Sequence, residues 1–434
     1  MASDLQTPPP NHKDRLLVQI ASYNTALQGL NGVPQDLVDW LSPTLQVSHF
    51  LSRERRAPDI VAVGFQELLP LYLGLAGLSK SVIEGRHQHI LAEIEAHAPN
   101  KEKYSLVGKI VNGGVALLVY ALDEGVARRI TDVHTSYSSC GPGYMSNKGA
   151  TGLRFRVAGE DGGLGETFTF VCAHLTAHAE KVADRIADYN HIVGTLLFPP
   201  SPGAHSNAPS TIYDSSHLFF FGDLNFRLDL PNSLAPPTSS GYSLMDNNEQ
   251  LQELKVYDQL SNEKQRRTVF IGLHEGEFWK FKATYKCIIG AVDKYNPARV
   301  PAWTDRILYA THSDDPEAPE STITNVLYTS IPSYTTSDHK PVVALLLLPT
   351  PTHRPDTIPT IRLPPGYNPS PDPWTKPKRY VGLVLDKVVG ITWWLFTLFG
   401  MGSSIVGLFN ALVGFGAWRW YRWWSSAADE VNGV

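Results

Sequence analysis

The run LFFFGDLNFR, Leu218 to Arg227, sets a carboxylate and an amide, Asp223 and Asn225, behind four apolar side chains. Such a run reads as a buried strand that stops at Gly222, where glycine lets the backbone turn or approach a ligand. A rigid strand end is a good mount for reacting groups. The pattern recurs: Asn24, Glu67, His174, Asp305, and Asp338 with His339 each border an apolar run. One carboxylate beside a strand is ordinarily a cap or turn residue; a set of them suggests convergence. The oxygen donors Glu67, Asn24 and Asp223 suit Mg2+, which takes a few carboxylates plus waters and substrate phosphate. Zinc would require more His or Cys at closer spacing.

The elements that must carry these residues follow from the apolar pattern. Strands are expected at Leu16 to Ile20, running on to Tyr23 and Asn24, and at Asp59 to Val63, Gly114 to Ala121, Gly152 to Val157 and Thr167 to Leu175. Further strands are expected at Leu218 onward, Arg306 to Ala310, Val326 to Ile331 and Pro341 to Leu348. Helical spacing marks Asp36 to Arg56, Leu78 to His97 and Ala179 to Leu197. Pro199 to Ser216 reads as a Pro/Ser-rich surface loop, and no internal repeat is visible. Many strands are apolar on both faces. That fits two sheets packed together under helices, and equally a doubly wound sheet.

Composition narrows the class. The chain has 434 residues, 43% hydrophobic and 18% charged, which is globular. A net charge of −5 argues against a nucleic-acid binder driven by bulk positive charge. Cys140, Cys172 and Cys287 lack metal-like spacing and read as reduced thiols of a cytosolic domain. Residues 1–14 are polar and Pro-rich, without the apolar core of a signal peptide, and are expected to be disordered.

After Leu348 the character changes. Residues 349–379 read as a Pro-rich, semi-rigid linker. Residues 380–424 read as a hydrophobic membrane anchor and 425–434 as a polar tail. Val388 to Trp418 carries no charge; as one helix it would reach roughly 46 Å, against a hydrocarbon core of about 30 Å. Arg419 and Arg422 lie among Trp418, Trp420, Trp423 and Trp424, an interfacial belt. A single C-terminal span is expected, with the large domain on the cytosolic side. The alternative is a hairpin turning at Gly400 to Ser404.

Six motifs together carry a family resemblance: GFQE (Gly64 to Glu67), SNKGATGLRF (Ser146 to Phe155), AHLTAH (Ala173 to His178), FGDLNFR (Phe221 to Arg227), PAWTDRIL (Pro301 to Leu308) and TSDHKPV (Thr336 to Val342). In this order the stretch from residue 15 to 348 resembles the inositol polyphosphate 5-phosphatases of the endonuclease/exonuclease/phosphatase superfamily. The resemblance implies an α+β, DNase I-like fold. This is a four-layer α/β/β/α sandwich, with two mainly antiparallel mixed sheets face to face and helices outside. It implies that Glu67 and Asn24 hold Mg2+, with Asp338 supporting the metal or its waters. Asp223 then activates water, Asn225 bonds the phosphoryl oxygens, and His339 binds the phosphate, held by Asp305. His174 resembles the family's phosphate-contacting histidine, and His178 shapes the site. Lys148 approaches a phosphate, while Tyr285, Lys286 and Arg299 resemble the set that reads the ring 4-phosphate. Arg227 is expected in a structural ion pair.

The implied reaction is direct hydrolysis of a phosphate monoester by water, releasing the 5-phosphate of phosphatidylinositol 4,5-bisphosphate. A tethered domain reaches lipid head groups of its own membrane at high effective concentration. The layout is similar to that of a membrane-tethered yeast member of the family at the endoplasmic reticulum. The implied partners are thus a phosphoinositide and a membrane, and not nucleic acid. Leu71 to Leu78 (LYLGLAGL) reads as an apolar loop that contacts lipid or core. The competing readings are a nuclease or phosphodiesterase of the same superfamily, and an inactive, membrane-anchored lipid-binding adaptor.

Overall fold

The computed structural model describes residues 15–26, 56–159, 162–200, 207–231, 248–351 and 357–431. Two six-stranded sheets form its centre. The first runs, in spatial order, β11 (Thr324–Ser330), β12 (Val342–Leu347), β1 (Leu17–Asn24), β2 (Ile60–Gln66), β4 (Val115–Leu122) and β3 (Tyr104–Asn112). The second runs β5 (Ile130–Ser139), β6 (Gly149–Val157), β7 (Glu166–His174), β8 (His217–Asp223), β10 (Asp305–Thr311) and β9 (His274–Glu275). Each sheet is antiparallel except for one central parallel pair, β1 with β2 and β7 with β8. Parallel neighbours end at the same pole, so these four strands deliver their C-terminal residues to one place.

Alternation explains why the central strands are apolar throughout. Phe219 and Phe221 of β8 enter the core between the sheets, where they meet Phe170, Cys172, Val18 and Ile20. Leu218 and Phe220 point the other way, under Tyr189, Ile192 and Val193 of α3 (Val182–Thr195). Val61, Val63 and Phe65 of β2 likewise lie under Val82, Ile83, Ile90 and Ile94 of α2 (Ser79–His97). The order α2, first sheet, second sheet, α3 is the four-layer sandwich that the motifs implied. Short helices α4 (Asn248–Leu254) and α5 (Gln259–Gln265) complete the rim of the second sheet.

Several local expectations change. β8 does not break at Gly222 but runs through it. That residue has φ 137°, and a Cβ there would lie 2.0 Å from the Ala173 carbonyl oxygen. The glycine therefore serves close strand approach. Leu71 to Leu78 is not a loop: Leu71–Ala76 forms α1, ended by Gly77 in the left-handed region. The helical pattern at Asp36 to Arg56 lies, but for Arg56, outside the described residues, as do residues 1–14. β3, β5 and β9 were not expected.

The Pro-rich segment is no free tether where it is described. The Ile361 and Asp372 amides donate to the Ser215 and Gly194 carbonyls, each at 2.8 Å. The last linker residues are already helical, since α6 spans Thr375–Phe399. Pro377 fits there because first-turn amides have no intrahelical acceptor. A second helix, α7 (Ser404–Val431), follows a tight turn and includes most of the expected polar tail. The long apolar run is thus two packed helices, not one. Met401 and Gly402 take positive φ at the turn. The helices cross where a Cβ on Gly407 would meet the Phe396 carbonyl oxygen at 1.6 Å. Among the described residues, α6 is the helix long and apolar enough to cross a membrane by length and composition, with mean hydropathy 1.5.

Candidate active site

The second sheet sets its reacting groups in one transverse row. Asp305 pairs in register with Asp223, Asp223 with His174, and His174 with Gly149, next to Lys148. From the first sheet come Asn24, ending β1, and Glu67, just beyond β2. The loop before β12 adds His339 and is pinned to β1, where Ser337 Oγ donates to the Asn24 carbonyl at 2.8 Å. Glu67 and Asn225 have φ of 50° and 58°. Non-glycine residues rarely take this region, and such conformations cluster at functional sites.

Asp223 is the hub of the polar contacts. Asn24 Nδ2 donates to its Oδ2 at 2.9 Å and Asn225 Nδ2 at 3.2 Å, while the Asn225 amide donates to Oδ1 at 3.1 Å. His174 Nε2 stands 3.3 Å from Oδ2, and His339 Nε2 stands 3.9 Å away. Burial alone would favour the neutral acid, yet His339, His174 and Lys148 hold Asp223 well below the usual carboxylate range. His339 is the counterpart. Burial disfavours its charged ring, but Asp305, 2.9 Å from Nδ1, and then Asp223 push it up to about 10. Thr284 and Thr304 hydroxyls donate to the same Asp305 oxygen at 2.7 and 2.9 Å and fix its orientation. Lys148 Nζ reaches His174 Nε2. Burial lowers the Lys148 pKa, opposed by Asp223 and Glu67.

The structure thus brings together Asp223, Asn225, His174, Asp305, His339, Lys148, Asn24 and Glu67. Tyr285 joins them, with its ring centroid 4.6 Å from that of His339. Asn24, Asn225, Asp338 and Arg299 each contact protein groups here. The Asn24 amide steadies Asp223, and its oxygen accepts the Ala26 amide at 3.0 Å. The two described acceptors of the Asn225 amide group are Asp223 and the Leu175 carbonyl. Asp338 pairs with Lys286 at 3.0 Å at the rim. Arg299 lies on an exposed loop, its backbone amide bonded to the Asn296 carbonyl. His178 is exposed and lines, with Lys148 and Asp188, a cleft of about 470 Å³ beside the row. Arg227 was expected in an ion pair. Its guanidinium instead stacks 4.0 Å from the Tyr285 ring centroid and donates to Asn225 Oδ1. Its place in FGDLNFR, two residues after Asn225, was the available signal. Thr304 was equally legible in PAWTDRIL, and both were missed as site residues.

The donor set fits a hard divalent cation. The Glu67 and Asp223 carboxylates both face His174 Nε2, at 3.7 and 3.3 Å. Asp223, Asp305 and His339 offer ligand atoms within 4.8 Å of one another. Asp305 Oδ1 is buried without a hydrogen-bond partner among the described residues. Oxygen donors in this majority suit Mg2+ or Ca2+ rather than zinc.

Residues 21–345 match the sequence model of endonuclease/exonuclease/phosphatase family 2. The chain belongs to that family. Among its relatives this family member is 29% identical to human Synaptojanin-2 over 338 residues, covering 72% of this chain and 21% of that protein. It is 30% identical to rat phosphatidylinositol 4,5-bisphosphate 5-phosphatase A over 340 residues, covering 74% of this chain and 30% of that one. The family member thus spans less than a third of the length of these two relatives. Its fold matches the inositol polyphosphate 5-phosphatase domain of SPsynaptojanin, solved with inositol (1,4)-bisphosphate and a calcium ion. The TM-score is 0.56 and the identity 23%, over 86% of this chain and 90% of that one.

Proposed function

We propose that the chain is a Mg2+-dependent phosphoinositide 5-phosphatase that converts phosphatidylinositol 4,5-bisphosphate to phosphatidylinositol 4-phosphate and inorganic phosphate. The observation that carries this reading is the Asp223 and His339 pair. A carboxylate held ionised stands 3.9 Å from an imidazole held protonated, at the meeting point of both sheets. That arrangement places a water-orienting base beside a fixed cation for a phosphoryl group. Curated relatives of this chain carry the phosphatidylinositol 4,5-bisphosphate 5-phosphatase name.

The phosphoryl group sits between His339, Lys148 and His174, whose positive or hydrogen-bonding edges face its oxygens. Asp223 orients a water and accepts its proton as the P–O bond forms. The bond to the ring 5-oxygen breaks with its electron pair staying on that oxygen, which takes a proton from water as Asp223 returns its own to solvent, and the alcohol and phosphate leave. Because the surrounding cations make Asp223 a weak base, alignment of the water is its larger contribution. Asn24 and Asn225 keep that carboxylate aimed. Glu67 and Asp223 would hold Mg2+, which supplies Lewis-acid neutralisation of the phosphate and the departing oxygen. Tyr285, Arg227 and Lys286 form the wall on which the rest of the inositol head group rests.

The helical hairpin is the proposed membrane element. Although α6 as a whole is long enough to cross, its first part lies on the catalytic domain, and the uncharged arms Val388 to Phe399 and Ser404 to Trp418 would reach only about 18 and 22 Å, short of a bilayer core of about 30 Å. The hairpin therefore enters and leaves on one side, which keeps the catalytic domain on the cytosolic face. The endoplasmic reticulum is the proposed membrane, by likeness of layout.

The test is phosphate release by the full chain with Mg2+ from a panel of phosphoinositides and soluble inositol phosphates. Release confined to 5-phosphorylated substrates, lipid above soluble, is expected. Cleavage of abasic DNA or sphingomyelin instead would replace the reading with a phosphodiesterase. Lipid binding without phosphate release would make the chain an adaptor.

A further inference from the structure

Helix α6 does not simply hang from the domain. Gly382, Asp386 and Gly390 are buried at steps of four, one face of the helix, and that face lies on the catalytic domain. A Cβ on Gly382 would meet the Tyr144 carbonyl oxygen at 1.9 Å, and one on Gly390 would meet the Ala76 nitrogen at 2.3 Å. The two glycines let the helix touch backbone directly, and only there does Asp386 reach its partner. Both Asp386 oxygens accept the Ser146 amide, at 2.9 and 3.2 Å. Lys387 Nζ donates to the Ala76 carbonyl at 2.6 Å, ending α1. Arg379 Nη2 donates to Ser136 Oγ at 2.9 Å and to the Thr195 carbonyl at 2.8 Å. Tyr72 and Trp393 extend the seam, with ring centroids 5.8 Å apart.

Ser146 belongs to a closed loop. Its base is the bond from the Cys140 amide to the Lys148 carbonyl, at 2.8 Å, and the Gly141 amide bonds the Met145 carbonyl at 3.0 Å. The described side-chain acceptor for the buried Ser146 amide comes from α6. Lys148 follows two residues later, and its ammonium meets His174 at the site. We propose that Asp386 is a positioning residue for hydrolysis. By holding Ser146 it sets the loop that aims Lys148, so the apolar hairpin and the active site form one rigid unit. This rests on the phosphatase reading only for its kinetic consequence.

The experiment uses the full chain in detergent micelles, with Asp386→Ala and Asp386→Asn compared. Asparagine keeps one oxygen for the Ser146 amide, whereas alanine keeps none. Hydrogen exchange of the peptide spanning Ser146 to Lys148 is read beside kcat/KM on soluble inositol 1,4,5-trisphosphate, which needs no membrane. Loss of a charge-assisted hydrogen bond predicts exchange faster by roughly tenfold or more in Asp386→Ala. A fall in kcat/KM of about the same size is expected, with Asp386→Asn recovering most of both. Gly390→Leu, which lifts α6 off Ala76 and leaves Asp386 intact, should reproduce the effect if Asp386→Ala does not fold. Unchanged exchange, or faster exchange with unchanged kcat/KM, overturns the proposal. A wild-type chain that hydrolyses no inositide sinks the phosphatase reading instead, and the exchange arm still decides whether α6 sets the loop.

Discussion

Asp305→Asn separates the role of the His339 charge from that of its position. The lift of His339 from an ordinary 6.5 to about 10 corresponds to about 5 kcal/mol in favour of the imidazolium. Asp305 stands 2.9 Å from the ring and Asp223 stands 3.9 Å away, so Asp305 supplies the larger part. Removing its charge should bring the His339 pKa down. The assay is kcat/KM on a short-chain phosphoinositide from pH 6 to 10.5, wild type and variant at the same saturating Mg2+. The wild-type alkaline limb should lie near 10 and that of the variant clearly lower. The penalty from the substitution should therefore grow as pH rises from 6.5 toward 10. Stability follows the same sign. A histidine raised on folding contributes most below its unfolded pKa and loses that contribution as pH rises through the folded value. The urea midpoint of the wild type should thus fall between pH 6.5 and 10, and that of the variant should fall less. An alkaline limb that stays near 10 in Asp305→Asn would refute the pairing as the source of the charge.

Two other outcomes test neighbouring parts of the structure. Asp223→Ala should lower kcat by about 10²- to 10⁴-fold while circular dichroism and gel filtration stay unchanged; a near-wild-type rate would remove Asp223 from the mechanism. Arg306 is fully buried and bonds Asp258 at 3.0 Å and Glu275 at 2.6 Å. Arg306→Ala leaves two buried carboxylates without their cation and should cost about 3 to 5 kcal/mol in urea unfolding; a loss under 1 kcal/mol would show the ion network to be dispensable.

The central strands were legible because burial on both faces leaves runs such as Leu218 to Phe221 almost no polar residue. The edge strands were not. β3 and β5 are half-exposed, so their sequences need no apolar face, and polar residues suit an unpaired edge. Positions of reacting side chains were also legible, since each stands at a strand end. Their partners were not, because Asn24, Asp338 and Arg227 meet Asp223, Lys286 and Tyr285, residues far away in sequence. The hairpin was half legible: a turn at Gly400 to Ser404 stood as the alternative to the single span, and the helices do part there. Hydropathy reports that Val388 to Trp418 is apolar, but the turn depends on which glycines face each other after folding.

The pairing of β1 with β12 has a consequence for how the chain is made. Arg15 Nε bonds the Leu348 carbonyl across 333 residues, and the Leu348 amide returns a bond to Leu16. On a ribosome adding about 5 to 20 residues per second, β1 waits from roughly 15 seconds to a minute for its second neighbour. During that interval a strand buried along its whole length in the finished fold keeps an open edge, the kind of surface that recruits foreign strands. Such remote closure also makes for slow folding. The hairpin helices emerge after β12, so the first sheet can close before the apolar run leaves the tunnel. Moving the hairpin to the amino terminus should therefore lower the yield of folded enzyme even though every contact could still form.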